Sequence, residues 1–200
     1  MPRILLTAFE PYDRWKENAS WSTLVELTRW YEGPAELVTR RYPVELTSMS
    51  QRLRADLQTA YDHVILCGQA PGSSFLRLES VSLNVRTDGT ELIAGGPAAY
   101  KCNLPLTAIS AQIRSAGVPA RISHHAGTYL CNAALYLSQH YLRSMDLATP
   151  SLFVHIPLMP SQVALLDEDS PSMSSALAGA AMAILIESLC AAPAMTDPHS

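Results

Sequence analysis

Short, wholly apolar runs alternate along the chain with stretches in which apolar residues recur every three or four positions. The first kind reads as strands buried on both sides and the second as helices covering them. Ile4 to Phe9 predicts the opening strand, closed by Glu10, Pro11, Tyr12 and Asp13. Ser20 offers an N-cap for a helix through Trp30, which Gly33 and Pro34 stop. Glu36 to Arg41 follows as a strand, and Leu46, Met49, Leu53 and Leu57 carry helical spacing. His63 to Cys67 is a further buried strand, meeting Gly68. Phe75 to Val85 alternates like a strand pair until Gly95, Gly96 and Pro97 break it. The later elements are a helix from Leu106 to Ala116 ended by Gly117, a strand from Val118 to Ser123, and a helix from Leu130 to Arg143. A strand from Leu152 to Ile156 and a helix from Ser174 to Leu189 complete the series.

Strands alternating with helices of this length predict an α/β fold of three layers, α/β/α. Its twisted sheet is largely parallel or mixed, with helices on both faces. One domain is expected over residues 1–191, with 192–200, rich in Pro, Ala and Ser, as a frayed tail. Ligands of such folds bind beyond the carboxyl ends of the strands. That rule directs attention to Glu10 to Tyr12, to Gly68 and Gln69, to His124 and His125, and to His155 to Pro157.

Composition narrows the function. Hydrophobic residues make up 48% of the 200 positions and charged ones 16%, enough apolar material for a sizeable core. The net charge of −4 comes without a basic run, so neither a nucleic acid nor an anionic membrane surface is an expected partner. The most apolar stretch, Ala176 to Ala192, carries Glu187 and reads as a packed helix instead of a membrane span. The opening residues run directly into a strand without a signal-peptide cleavage site, which predicts a cytoplasmic protein. Cys67, Cys102, Cys131 and Cys190 contain no C-x-x-C pair, so free thiols are expected and neither a disulfide frame nor a structural zinc site. Adjacent His124 and His125 point to opposite faces of a strand and make a poor metal site with Cys131. No G-x-G-x-x-G or P-loop appears; no cofactor and no metal are expected.

Three residues remain as candidate chemistry. Cys131 lies at the mouth of a predicted helix, where unpaired N–H groups and the positive dipole end favour a thiolate and can hold an oxyanion. A cysteine there is also commonly a small packed hydrophobe. His155 ends a predicted strand just before Ile156 and Pro157, where a satisfied core histidine is the plainer reading. Glu79 falls, by alternation, on the face of Val81, Leu83 and Val85, while Ser80, Ser82 and Asn84 face the other way. A carboxylate on an apolar face needs a partner, and an imidazole beside a thiol would supply one. An edge glutamate reaching solvent fits the same pattern, since spacing alone cannot bring three distant residues together.

The segment Ser123 to Asn132 (SHHAGTYLCN) resembles the nucleophile motif of the pyroglutamyl peptidase I family, cysteine peptidases of family C15. Leu6 to Tyr12 with Asn18 to Trp21 is similar to that family's G-F-E-P-F…N-P-S-W start. Gly68 to Ala70, Leu78 to Asn84, Gly96 to Tyr100 with Leu104 and Pro105, and Phe153 to Pro157 resemble its later blocks, in family order. The resemblance implies removal of an N-terminal pyroglutamyl residue from blocked peptides. It implies Cys131 as nucleophile, His155 as general base and then acid, and Glu79 as the carboxylate orienting the imidazole. It implies an apolar slot for the lactam with Phe9 and Tyr12 as aromatic wall, Gln69 and Asn18 as polar contacts, and Tyr129 and Leu130 beside them. A homo-oligomer, commonly a tetramer, is implied as well.

The departures bear on rate. Pro71 stands at the second glycine of the family's G-G-R block, and Ser73 at its arginine. The family's D-A-R-x-P-D stretch has no counterpart, because Arg86 passes within ten residues to Gly95 and Gly96; Arg86 is the nearest substitute for the missing arginine. A shortened lid predicts slower or altered cleavage. Two other classes stay open from the residues: a catalytically weak relative that binds a ligand or partner, and a nucleoside-phosphorylase-like α/β enzyme.

Overall fold

The computed structural model describes residues 1–191; the tail expected to fray lies outside the described residues. The chain runs β1 (Arg3–Phe9), α1 (Ala19–Trp30), β2 (Glu36–Tyr42), α2 (Leu46–Asp56), β3 (His63–Ala70), β4 (Leu76–Glu79) and β5 (Val81–Leu83). It continues with β6 (Ala99–Lys101), α3 (Leu106–Ser115), β7 (Ala120–Ser123), α4 (Leu130–Ser144), β8 (Ser151–Pro157), α5 (Pro160–Val163) and α6 (Ser175–Ala191). Among the described residues no helix is long and apolar enough to cross a membrane.

Six strands form the central sheet in the order β2-β1-β3-β8-β4-β7. The first four are parallel, β4 runs antiparallel to β8, and β7 is parallel to β4, so the sheet is mixed. Both faces are covered, which is why β1, β3 and β8 read as almost unbroken apolar runs. The pleat sorts alternate residues to opposite faces. Ile4, Leu6 and Ala8 of β1, with Leu152, Val154 and Ile156 of β8, pack in one core with residues of α1, α3 and α6. Leu5 and Phe9, with Phe153, pack in the other with residues of α2 and α4. The reversal of β4 puts Leu76 and Leu78 in the first core, so Arg77 and Glu79 are left for the α4 face.

Two readings of the sequence are corrected here. The N-cap of α1 is Asn18, whose Oδ1 accepts the Ser20 N–H (3.1 Å); Ser20 lies inside the helix and donates its hydroxyl to the same oxygen (2.7 Å). The alternation from Phe75 to Val85 does not run through one strand pair. The chain leaves the main sheet at Ser80, and β5 pairs instead with β6 in a separate two-stranded sheet. Glu79 therefore does not share a face with Val81 and Leu83. Ser82 and Asn84, read as outward, are buried. Asn84 clamps the following loop through Ile93 N–H (2.9 Å) and Ile93 C=O (2.8 Å), and Ser82 donates to Gln139 (2.6 Å). Burial of these polar groups is tolerated because each is hydrogen-bonded.

Candidate active site

The site is built on the face of the sheet that α4 covers. Antiparallel pairing sets Arg77 opposite His155 and Glu79 opposite Phe153. Glu79 and His155 are thus diagonal neighbours on one face, a separation that two long side chains can bridge. They do so: His155 Nδ1 lies 2.8 Å from Glu79 Oε1, with the glutamate fully buried and the histidine 7% exposed. An ionised carboxylate only accepts, so Nδ1 carries the proton and donates it to Glu79. Nε2 is then the nitrogen left to exchange a proton with Cys131.

Cys131 is the second residue of α4, and its sulfur comes down onto the sheet beside His155. Its approach depends on Gly68, which pairs with His155 across β3 and β8. A Cβ at Gly68 would stand 3.0 Å from Cys131 Sγ and 2.7 Å from the Phe153 ring. The missing side chain is the notch that admits the thiol. The Phe153 ring packs against the imidazole, their centroids 4.8 Å apart and tilted.

The helix start above Cys131 is open. Tyr129 is its N-cap but makes no side-chain capping bond, and the first helical bond at this end is Ala133 N–H to Tyr129 C=O (3.0 Å). The N–H groups of Leu130, Cys131 and Asn132 consequently have no acceptor within the helix. Asn132 holds the adjoining strand, accepting Leu83 N–H (2.8 Å) and donating to the carbonyls of Leu83 (2.9 Å) and Val85 (3.1 Å).

Electrostatics follow from this packing. Burial works to lower the His155 imidazole, but the charge and hydrogen bond of Cys131 and the partnership with Glu79 overcome it and raise it to about 9. Burial likewise works to raise Glu79, and the hydrogen bonds of His155 and Ser123 with the charges of His155 and Arg77 together outweigh it, leaving the carboxyl below its ordinary value. Glu79, His155 and Cys131 form one coupled chain, in which the imidazole holds a proton strongly between a carboxylate and a sulfur. Tyr12 is pushed up by burial and by the charge of Cys131, so its phenol stays neutral.

Beside Cys131 opens a narrow cleft of about 300 Å³ including its mouth, lined by Phe9, Tyr12, Asn18, Val44, Gln69, Tyr129 and Leu130. All six residues expected to bind substrate thus lie together with the cysteine; Val44 is an addition the sequence did not single out. Asn18 is largely committed to structure, since its amide also donates to Glu10 C=O (3.1 Å). Gln69 differs. Its Oε1 accepts from Ala19 N–H (2.9 Å) and from Gln162 Nε2 (2.8 Å), while its Nε2 is buried and without a partner among the described residues. Gln162, also not anticipated, ties Gln69 to Met159 N–H (2.9 Å) and Glu17 C=O (3.1 Å). Arg86 does not line the cleft with Cys131; it lines an adjacent cavity that shares Tyr129 and Leu130 with it. Among the described residues no group of three potential metal ligands comes together.

Comparison with known proteins places the chain in one family. A family model described as pyroglutamyl peptidase matches residues 2–192. A pyrrolidone-carboxylate peptidase of Clavibacter michiganensis is 40% identical, over 78% of this chain and 79% of that protein. One from Erwinia tasmaniensis is 36% identical over 88% and 87%. The solved pyrrolidone carboxyl peptidase of Fervidobacterium islandicum superposes with a TM-score of 0.89 at 30% identity, covering 95% of this chain and 99% of that one. The pyroglutamyl peptidase I of Bacillus amyloliquefaciens does so with 0.89 at 29%, covering 96% and 98%.

Proposed function

The chain belongs to the pyroglutamyl peptidase family, and we propose that it acts as a cysteine peptidase releasing an N-terminal pyroglutamyl residue through Cys131, His155 and Glu79. The observation that carries this reading is the His155 Nδ1 to Glu79 Oε1 bond of 2.8 Å, beneath a cysteine at an uncapped helix start.

The lactam enters the cleft between Phe9, Tyr12 and Tyr129, where flat apolar contact suits a ring without charge. The unpartnered Gln69 Nε2 is a donor for the lactam carbonyl, because an orphaned buried N–H gains most from a ligand that satisfies it. As Sγ bonds to the scissile carbonyl carbon, the proton it shares with His155 stays on Nε2, and the electron pair of the C=O moves to oxygen. That oxyanion meets the free N–H groups of Leu130 and Cys131. The C–N bond then breaks as His155 returns its proton to the departing amine, leaving a thioester. Water attacks it next, giving its proton to His155; the C–S bond breaks with its electron pair on sulfur, pyroglutamate leaves, and His155 again shares the proton with Sγ. Throughout, Glu79 keeps Nδ1 protonated and stabilises the imidazolium.

The tetramer implied by the family resemblance is carried as part of this proposal, and light scattering that returned a monomer would remove it. The reading itself is tested with a chromogenic pyroglutamyl amide. Dye release that iodoacetamide abolishes is the expected result, and release undiminished in Cys131→Ala would refute it.

A further inference from the structure

A second cavity, of about 480 Å³ including its mouth, opens beside the catalytic cleft and shares with it the wall made by Tyr129 and Leu130. Its floor is apolar, formed by Leu46, Leu92, Leu130 and Ala133. Its rim is the turn from Arg86 to Thr90, closed by Arg86 N–H to Thr90 C=O (2.8 Å). The Thr87 hydroxyl donates to Thr128 C=O (3.2 Å), which fixes this rim to the segment leading into Cys131.

The two rim charges are not equivalent. Asp88 folds back on its own turn, where Oδ1 accepts the Thr90 N–H (3.0 Å) and hydroxyl (2.6 Å). Arg86 borders the cavity, and among the described residues no carboxylate lies within ion-pair distance of its guanidinium. The cavity therefore offers an apolar floor and a cation without an ion pair among the described residues, its charge reaching Asp88 across the turn.

A pyroglutamyl residue begins its peptide, so nothing precedes the lactam in the cleft. A substrate with its carbonyl at Cys131 continues only in the leaving direction, and this cavity, sharing the Tyr129 and Leu130 wall with the cleft, adjoins the nucleophile's own turn. We propose that this cavity is the subsite for the released peptide, taking an apolar side chain next to the scissile bond on its floor and a carboxylate at Arg86. The inference rests on the peptidase reading above. The carboxylate has two sources: the free C-terminus of a pyroglutamyl dipeptide, or an acidic side chain one residue further along a longer peptide.

The test compares kcat/KM of the wild-type chain, Arg86→Gln and Arg86→Lys on five substrates: pyroglutamyl-leucine, its amide, pyroglutamyl-leucyl-glutamate amide, the matching glutamine peptide, and a pyroglutamyl dye amide. A partly exposed ion pair is worth about fivefold. The wild type and Arg86→Lys should prefer the dipeptide acid over its amide by about that factor, and Arg86→Gln should lose the preference. A preference confined to glutamate over glutamine, lost in the same variant, assigns the carboxylate to the side chain and supports the subsite equally. No preference in the wild type, or one that survives in Arg86→Gln, overturns it. An equal loss in Arg86→Gln on every substrate, dye amide included, places Arg86 at the reacting carbonyl and overturns it too. Failure of the wild type to cleave even the dye amide refutes the peptidase reading, and the subsite with it.

Discussion

Replacing Gly68 by alanine tests whether the notch in the sheet is what seats the nucleophile. The added Cβ would lie 2.7 Å from Phe153 Cζ and 3.0 Å from Cys131 Sγ. Carbon atoms rest at about 3.5–4.0 Å, so ring and sulfur together must retreat by roughly 1 Å. The ring contact is relieved only by Phe153 or the strand shifting and the sulfur contact only by Cys131, and because Phe153 is fully buried among residues of α2 and α4 the strain is shared by the strand and the nucleophile. A misplacement of about 1 Å at reacting groups costs on the order of a hundredfold in turnover. Overpacking also costs about 1–3 kcal/mol of stability, which leaves a protein of this size folded. The assay is kcat/KM on a pyroglutamyl amide, with the thermal midpoint and the rate of Cys131 alkylation measured on the same samples. The expected result is a loss of about a hundredfold in kcat with a modest change in midpoint. Near wild-type turnover in a folded Gly68→Ala protein would refute the reasoning, because the sulfur would then not need the space.

The pH dependence follows from the directions at the site. His155 is raised to about 9, so kcat/KM should fall on the alkaline side near that value, as the imidazolium that protonates the leaving amine disappears. In stability, the His155 contribution is complete below its ordinary value of 6.5 and lost as pH rises through about 9. Glu79, held below its ordinary 4.5, contributes above that value and is lost as pH falls through its lowered one; denaturation midpoints across pH check both limbs. Glu79→Gln should cut turnover on the order of a thousandfold and move the alkaline limb downward, and a pH–rate profile with an unmoved limb would contradict the coupling. Asn132→Ala strands one N–H and two carbonyls of residues 83–85 and should cost about 3 kcal/mol, read by chemical denaturation. The missing family arginine should leave kcat/KM on a pyroglutamyl amide on the order of a hundredfold below that of a relative with the full loop, and equal rates would show that the loop does not matter here.

The elements legible in the sequence are those whose burial is simple. β1, β3 and β8 are covered on both faces and appear as continuous apolar runs, and α4 and α6 carry their periodicity over several turns. The three-residue strand β6 is too short to leave a pattern, and its pairing with β5 depends on a partner some twenty residues away. That pairing is also why alternation misled around Glu79. Glu79 is a carboxylate in need of a partner, which His155 supplies, but the alternation breaks at Ser80, where the chain changes sheets. Asn18 was displaced as N-cap by Ser20 because both residues are good caps two positions apart, and only the geometry at Ser20 N–H separates them. The role of Gly68 was hidden for a different reason. Its neighbours Phe153 and Cys131 are distant in sequence, and no local signal marks a glycine that yields space to them. The cleft residues Phe9, Tyr12, Gln69, Tyr129 and Leu130 were legible through the family motifs, whereas Val44 and Gln162 lie outside those motifs.

The central claim is that Cys131 forms the bond to the pyroglutamyl carbonyl. Mixing the protein with a pyroglutamyl ester, quenching in acid within the first turnovers and mapping the adduct by mass spectrometry tests it directly. The account predicts a mass gain of one pyroglutamyl group on the peptide containing Cys131, absent from Cys131→Ala and reduced in His155→Ala. An adduct on Cys67, Cys102 or Cys190, or turnover of the ester by Cys131→Ala at the wild-type rate, would contradict it.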